Sequence, residues 1–94
     1  MGTEEIVERL RRVREPVTGE SIVDLGMVIA VTGDEDGIRV YLDLSRTARG
    51  PFMDALTWPV RMRIVRDAVA VLEDLGKVEI LDARSLQRYY PEDE

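Results

Sequence analysis

The chain has 94 residues, of which 45% are hydrophobic and 34% are charged, and its formal net charge is −6. This size and composition predict one globular domain over residues 1–94, with no room for a second core. No apolar run reaches the length of about 18 residues that a membrane-spanning helix needs. The acidic balance argues against a broad nucleic-acid-binding surface. The charged N-terminus lacks the features of a secretory signal, so we expect a cytoplasmic protein.

Cysteine and histidine are both absent from the sequence. Their absence excludes disulfides, thiolate nucleophiles, imidazole bases and the usual ligands of zinc and iron–sulfur clusters. Carboxylates could hold magnesium or calcium, but the acids at 34–36 do not have EF-hand spacing. The sequence therefore predicts no catalytic residue, no metal site and no cofactor. The lack of Asn and the single Gln suggest a thermophilic source.

The first predicted element is a helix over residues 3–14, with Thr3 as its N-cap. Ile6, Leu10 and Val13 recur at helical spacing and should form its buried face. Pro16 disfavours helical geometry in the preceding residue and should end the helix.

A polar turn built on Asp24, Leu25 and Gly26 then leads into an apolar strand over residues 27–32. Gly26 can adopt positive φ, and Asp24 can accept hydrogen bonds from nearby amides, so the pair can set the direction of the strand. The run is apolar on both faces, which predicts an interior strand. A five-residue hairpin loop, 33–37, should connect it to a strand in which Ile38, Val40, Leu42 and Leu44 alternate with outward residues.

Residues 45–57 break the periodicity and predict a loop, in a stretch that is basic although the chain as a whole is acidic. Thr57 as cap and Pro59 near the first turn should open a second helix. Its buried stripe comprises Ile64, Val65, Ala68, Val71, Leu72 and Leu75, and Gly76 should end it.

The rest of the chain predicts a third strand over 78–83, then either a fourth short strand or an irregular flap in which Tyr89 and Tyr90 cover the sheet edge, and a fraying tail over 91–94. The elements predict an α+β fold, a two-layer sandwich of order α-β-β-α-β(-β). Both helices should lie on one face of a three- or four-stranded sheet.

Three stretches carry a family resemblance: Glu15 to Gly19, Ile22-Val23-Asp24-Leu25-Gly26, and Thr57-Trp58-Pro59. With the hairpin between them, the chain resembles the small iron–sulfur cluster assembly domains of the PaaD and SufT type, in the wider group that includes the C-terminal domain of NifU. In that family Asp-Pro-Glu stands where residues 15–19 are, the Ile-Val-Asp-Leu-Gly turn is the same, and Cys-Pro opens the second helix. The resemblance covers residues 6–82 and implies a role in iron–sulfur cluster assembly.

The chain departs from this pattern where the family keeps its presumed ligand, because Thr57 or Trp58 stands in place of the cysteine and Val17 in place of the motif acid. Neither an indole nor a hydroxyl replaces a soft thiolate. The loop before the second helix is also longer, and the added residues include Arg46, Arg49, Phe52 and Asp54. The departures therefore argue against a cluster carrier of the usual kind.

Three hypotheses follow. The first is an accessory or adaptor of iron–sulfur assembly that binds a protein partner, either an assembly protein or a target apoprotein, through exposed aromatic and Arg residues; the competing interpretation of Trp58 is a core residue over the helix start. The second is a small-anion-binding protein or enzyme that uses the Arg-rich loop and the N-terminus of the second helix. The third is a homodimer formed by pairing of sheet edges. The candidate binding residues are Asp24, Gly26, Arg46, Arg49, Phe52, Asp54, Thr57, Trp58 and Arg61.

Overall fold

The computed structural model describes residues 2–16, 18–44 and 51–91, with residues 51–57 described by their backbone alone. Two helices and four strands follow the predicted order α-β-β-α-β-β, which confirms the α+β fold and settles the last segment as a strand. The predicted tail residues 92–94 lie outside the described residues. The elements are α1 Thr3–Leu10, β1 Val28–Asp34, β2 Gly37–Leu42, α2 Pro51–Leu72, which continues into a 3₁₀ turn Glu73–Leu75, β3 Val78–Asp82 and β4 Arg88–Tyr90.

The four strands form one mixed sheet in the order β1-β2-β3-β4. The β1–β2 and β3–β4 pairs are antiparallel, whereas β2 and β3 are parallel because α2 carries the chain back across the sheet. The prediction that the first strand lies in the interior is wrong, since β1 is an edge strand. A bulge between Val28 and Ala30 leaves Ile29 without a regular partner, and its side chain is 55% exposed.

The core lies between one face of the sheet and both helices. Ile38, Val40 and Leu42 of β2 are at most 1% exposed, whereas the alternate residue Arg39 is exposed, so the predicted period of two is confirmed. Leu44, just beyond β2, is also buried, as predicted. Each fully buried aliphatic side chain contributes about 1.5–3 kcal/mol relative to an exposed one. The helical residues buried in the same cluster are Ile6 and Leu10 of α1 and Ile64, Val65, Ala68, Val69 and Leu72 of α2.

The buried stripe of α2 therefore agrees with the predicted one except at its margins. Val71 and Leu75 pack against the core but are only partly buried, and Val69 is buried instead. At its C-terminal end α2 is tied to α1, because Arg9 Nη1 donates to both carboxylate oxygens of Asp74, at 2.7 and 2.9 Å, and to the Val71 carbonyl at 3.2 Å. The chain then turns at Gly76, which has φ of +146° as expected for a glycine stop.

The first helix is shorter than predicted, ending at Leu10 rather than near residue 14. Its N-cap is Gly2, so Thr3 is the first helical residue rather than the cap. Val13 is buried as expected but lies beyond the helix. Because the helix ends at Leu10, Pro16 is not what stops it, and the chain beyond the helix forms a β-bridge between Arg14 and Ser21.

The hairpin between β1 and β2 is tighter than the predicted five-residue loop. The strands pair as far as Asp34 and Gly37, which leaves Glu35 and Asp36 as a two-residue turn. The Asp34 Oδ1 atom accepts hydrogen bonds from the amides of Asp36, at 2.8 Å, and Gly37, at 3.2 Å. These hydrogen bonds to the Asp34 side chain stabilise a two-residue turn. The spacing of Gly33 and Gly37 alone predicts a longer loop.

The second helix begins at Pro51, several residues before the predicted start, so residues 51–57 are helical and not part of a loop. Thr57 is consequently inside the helix and does not cap it, and Pro59 is an interior proline. Proline fits the first turn of a helix, where its missing amide costs nothing, and Pro51 takes that role. In the part of the chain that the structure describes, no helix has both the length and the hydropathy to cross a membrane.

Candidate functional site at the carboxyl ends of the parallel strands

The C-terminal ends of β2 and β3 and the N-terminal end of β1 lie along the same edge of the sheet. The Asp43 amide donates to the Met27 carbonyl at 2.8 Å, and the Ala83 amide donates to the Leu42 carbonyl at 2.8 Å. We call this the carboxyl edge. Ligands in open α/β sheets bind outside the carboxyl ends of parallel strands, so the carboxyl edge is the first place to look for a site.

The turn over residues 21–26 enters the sheet at the carboxyl edge. Its amides are bonded by backbone carbonyls: Leu25 N–H donates to Ser21 O at 3.0 Å, and Gly26 N–H donates to Val23 O at 3.1 Å. Gly26 has φ of +74°, which confirms the predicted positive φ. The turn is therefore a rigid backbone feature that places Met27, 2% exposed, in the core.

Asp24 does not fix this turn with its side chain as the sequence predicted. Its carboxylate is exposed, and Oδ1 accepts a hydrogen bond from Arg11 Nη1 at 3.1 Å, while the amides of Leu25 and Gly26 donate to carbonyls. Arg11 also contacts Glu8 at 3.1 Å. Exposed ion pairs of this kind contribute little to stability, so the Asp24 carboxylate is accessible to a partner at low energetic cost.

Glu15 is a buried acid that the sequence analysis noted only as part of the family pattern. It is 4% exposed, and its Oε2 accepts the Thr18 amide at 2.7 Å. Its own amide donates to Glu20 O and its carbonyl accepts the Gly19 amide, both at 2.8 Å. The sequence signal for a role of Glu15 was its position, which corresponds to the Asp of Asp-Pro-Glu in the resembled PaaD and SufT type. Glu15 holds the loop that leads to the turn over residues 21–26.

Asp82 and Tyr89 form a second polar group at the carboxyl edge, which the sequence analysis missed. Asp82 Oδ1 accepts the amides of Arg84 at 2.7 Å and Ser85 at 3.3 Å, and Oδ2 accepts the Tyr89 hydroxyl at 3.1 Å. Burial raises the pKa of Asp82, but these hydrogen bonds outweigh it and the net pKa is below the usual range. The only sequence signal for this polar group was the proposal that Tyr89 covers the edge of the sheet.

Arg61 of α2 lies close enough to Tyr89 for its positive charge to act on the Tyr89 hydroxyl. Burial and the bond to Asp82 raise the pKa of Tyr89 to about 12, and the nearby positive charge of Arg61 opposes that rise. The Arg84 side chain lies 3.5 Å from an Asp43 carboxylate oxygen. Of the predicted binding residues, Arg61 is thus one that the fold brings to the carboxyl edge.

Trp58 precedes Arg61 by one helical turn and is 51% exposed. The interpretation of Trp58 as a core residue is therefore wrong. The adjacent Pro59 and the following Arg63 are also exposed. An exposed Trp with cations nearby has the composition found at the energetic centres of protein interfaces.

The other predicted binding residues lie in parts of the chain whose side chains the structure does not describe. Arg46 and Arg49 lie outside the described residues, and Phe52, Asp54 and Thr57 lie in the part of α2 whose side chains are outside the description. The helix start at Pro51 places residues 57–59 within α2, where free N-terminal amides are not available. The part of the anion-binding hypothesis that rested on a helix N-terminus at Thr57 is therefore wrong.

The donor set does not fit a cysteine-ligated iron–sulfur cluster. The sequence has neither Cys nor His, and the described residues contain no group of three or more side chains able to hold a metal ion. Among the described residues at the carboxyl edge, Asp43 and Asp82 already engage Arg84 and Tyr89, and Asp24 engages Arg11. Any iron or cluster that this protein handles must take its thiolate ligands from another molecule.

Comparisons with known proteins test the resemblance that the sequence indicated. Neither the curated proteins nor the solved structures give a match. A family model described as "Iron-sulfur cluster assembly protein" matches residues 3–81, a span that includes both helices, the hairpin, the turn over residues 21–26 and most of β3. The chain therefore belongs to the iron–sulfur cluster assembly protein family.

Proposed function

We propose that this protein is an accessory or adaptor of iron–sulfur cluster assembly that acts through protein contacts and provides no cysteine ligand of its own. The observation that carries the proposal is the exposure of Trp58, which lies in the Thr57-Trp58-Pro59 stretch where the resembled PaaD- and SufT-type members have Cys-Pro. Membership in the family supports a role in iron–sulfur cluster assembly. Because the chain has no Cys and no His, it has no thiolate or imidazole with which to ligate a cluster. The proposal includes a cytoplasmic location.

The partner surface of this proposal is centred on Trp58 and Arg61. Trp58 offers a large apolar surface that is half exposed, and Arg61 lies one turn further along the same helix, next to the buried Tyr89. The exposed Arg63 and Arg66 extend the positive charge along α2. We expect an acidic partner, an assembly protein or a target apoprotein, because opposite charge speeds and orients association.

The function is tested by genetic complementation in the source organism. Deletion of the gene should lower the activity of an iron–sulfur enzyme such as aconitase, and the wild-type chain should restore it. Trp58→Ala should restore little activity because the interface loses its aromatic centre. The matched control is Tyr90→Ala, which removes another exposed aromatic side chain at the opposite end of the sheet and should restore activity fully. Undiminished enzyme activity in the deletion strain would contradict the assembly role.

The absence of its own ligands is tested separately by anaerobic reconstitution. Incubated with ferrous iron and sulfide, the purified chain should bind no stoichiometric cluster, because it has no thiolate or imidazole to offer. Iron and sulfide analysis with visible absorption measures this directly. A stoichiometric cluster on the isolated chain would overturn this part of the proposal and require carboxylate ligation.

A further inference from the structure

We propose that the β1 edges of two copies of this chain pair antiparallel across a two-fold axis at Thr32, forming a homodimer with a continuous eight-stranded sheet. Among the described residues, β1 pairs with β2 on one side only. The segment from Val28 to Gly33 has no charged residue and no proline, the devices that usually protect an exposed edge. The bulge at Ile29 protects one end of the strand, which leaves residues 30–34 as the regular part.

The free hydrogen-bonding groups of β1 can be assigned from the register. Ile38 N–H donates to Lys77 O at 2.7 Å, so the polar groups of Ile38 face β3 and away from β1. Gly33 lies opposite Ile38 and Val31 lies opposite Val40. In an antiparallel pair both residues of such a position direct their N–H and C=O groups outward. Val31 and Gly33 therefore present two donors and two acceptors along the open edge.

A second copy satisfies all four groups in one register. With Thr32 on the two-fold axis, Val31 lies opposite Gly33 of the second copy and Gly33 lies opposite Val31, so four hydrogen bonds form. Thr32 is exposed and would lie against Thr32 of the second copy, a pair that is favourable between strands.

The charges along the strand are also compatible with a second copy as the occupant. In this register Asp34 lies opposite Ala30 and Thr32 opposite Thr32, so no like charges lie opposite one another on the two paired strands, although each chain carries a net charge of −6. Beside the edge, α1 and Val31 line an open pocket of about 390 Å³, with Val7, Glu8 and Arg11 among its other residues. The register places Gly33 of the second copy, which has no side chain, opposite Val31 at this pocket.

The contact is small, so we expect a dimer that dissociates in the micromolar range. Stable complexes bury about 1,200 Å² or more, whereas this interface consists of two short strands and their flanks. Sedimentation equilibrium from micromolar to millimolar concentrations should show a shift from the 10.7 kDa monomer to twice that mass. A monomer over the whole range would overturn the proposal.

The register is tested by charge at position 32. Thr32→Lys should weaken the dimer at least tenfold, because two lysines would lie face to face. The control Ala70→Lys adds the same charge at an exposed position of α2 and should leave dimerisation unchanged. An equal mixture of Thr32→Lys and Thr32→Glu should restore dimers, now mixed. Thermal melts of each variant confirm that the monomers remain folded.

Each other outcome counts against the β1 interface. A dimer that persists in Thr32→Lys would place the contact on another surface, such as the β4 edge. Equal loss in Thr32→Lys and Ala70→Lys would show a general effect of charge. Failure of the oppositely charged mixture to associate would exclude a two-fold axis at Thr32. None of these outcomes bears on the assembly role, which is tested by complementation.

Discussion

Two turns of this protein are built from the same residue types and are stabilised in different ways. The hairpin turn has Asp34 and Gly37, and the turn before β1 has Asp24 and Gly26. Asp34 accepts two backbone amides, whereas Asp24 makes an exposed ion pair with Arg11 while backbone carbonyls accept the amides of its turn. An aspartate before a glycine is therefore structural in one turn and available for contacts in the other.

A further aspartate turn, without glycine, follows β3, and its aspartate has a structural role like that of Asp34. Asp82 accepts the amides of Arg84 and Ser85, in the same i+2 and i+3 pattern that Asp34 uses. Of the three, Asp24 alone lies in the turn over residues 22–26 that carries the family resemblance. The comparison predicts that substitutions at Asp34 and Asp82 lower stability, whereas substitution at Asp24 leaves stability almost unchanged and affects partner binding.

The largest effect is expected at Gly37. A Cβ there would lie 2.7 Å from the Lys77 carbonyl oxygen, which already accepts the Ile38 amide, and φ is +136°. Gly37→Ala should lower the free energy of unfolding by about 3 kcal/mol, measured by urea denaturation. Gly19→Ala is the control, since φ is +75° with nothing within 4 Å, and it should cost only about 1 kcal/mol of strain. Equal losses would show that the close approach to Lys77 is relieved by backbone movement.

Gly26 should come next. Gly26→Val places a β-branched side chain at φ of +74°, and we expect a loss of about 1–3 kcal/mol. Gly26→Asn should cost less, because Asn tolerates the left-handed region. Urea denaturation of the two variants measures the difference. A melt of Gly26→Val that matches wild type would mean that the turn before β1 can be rebuilt without its glycine.

The turn at Asp82 predicts a pH dependence through Tyr89. The pKa of Tyr89 is raised from 10.0 to about 12 in the folded chain, first by burial and then by the Asp82 bond. The stabilisation is therefore fully present below pH 10 and is lost as pH rises through about 12. The lowered pKa of Asp82 has the opposite sense, since its stabilisation is present above the ordinary Asp pKa of 3.8 and is lost in acid.

Tyr89→Phe measures the tyrosine contribution. The variant should be less stable than wild type at pH 8, and the difference should shrink between pH 10 and 12 because only the wild-type chain loses this stabilisation there. Thermal melts across that range report the difference. A constant gap between the two proteins would show that the hydroxyl contributes through packing rather than through its protonated state.

The smallest stability effect is expected at Asp24. Asp24→Ala should change the free energy of unfolding by no more than about 0.5 kcal/mol, because it removes an exposed ion pair. Asp34→Ala, the matched change in the hairpin, should cost about 1 kcal/mol by removing the acceptor of two amides. Urea denaturation at low and high salt compares them. A larger loss for Asp24→Ala than for Asp34→Ala would reverse the assignment of the two aspartates.

Much of the fold could be predicted because it follows local periodicity. The alternation from Ile38 to Leu44 and the stripe around Ile64 and Ala68 each determine which face is apolar, and a sheet with two helices on one face is the simplest way to bury them. The glycine at position 26 likewise indicates its own φ. The motif of the turn at 22–26, together with the stretches at 15–19 and 57–59 and the hairpin between them, indicated the family, and the family model agrees.

The tertiary structure decided what depends on contacts distant in sequence. The apolar residues of β1 do not reveal that it lies at the edge, since strand order depends on the pairing of β2 with β3. The position of Asp82 beside Tyr89 likewise depends on the pairing of β3 with β4, which no local pattern specifies. By itself the sequence determined the elements, the inward faces and the lack of thiolate and imidazole ligands. The fold decided which residues are exposed, because exposure depends on what packs over each side chain.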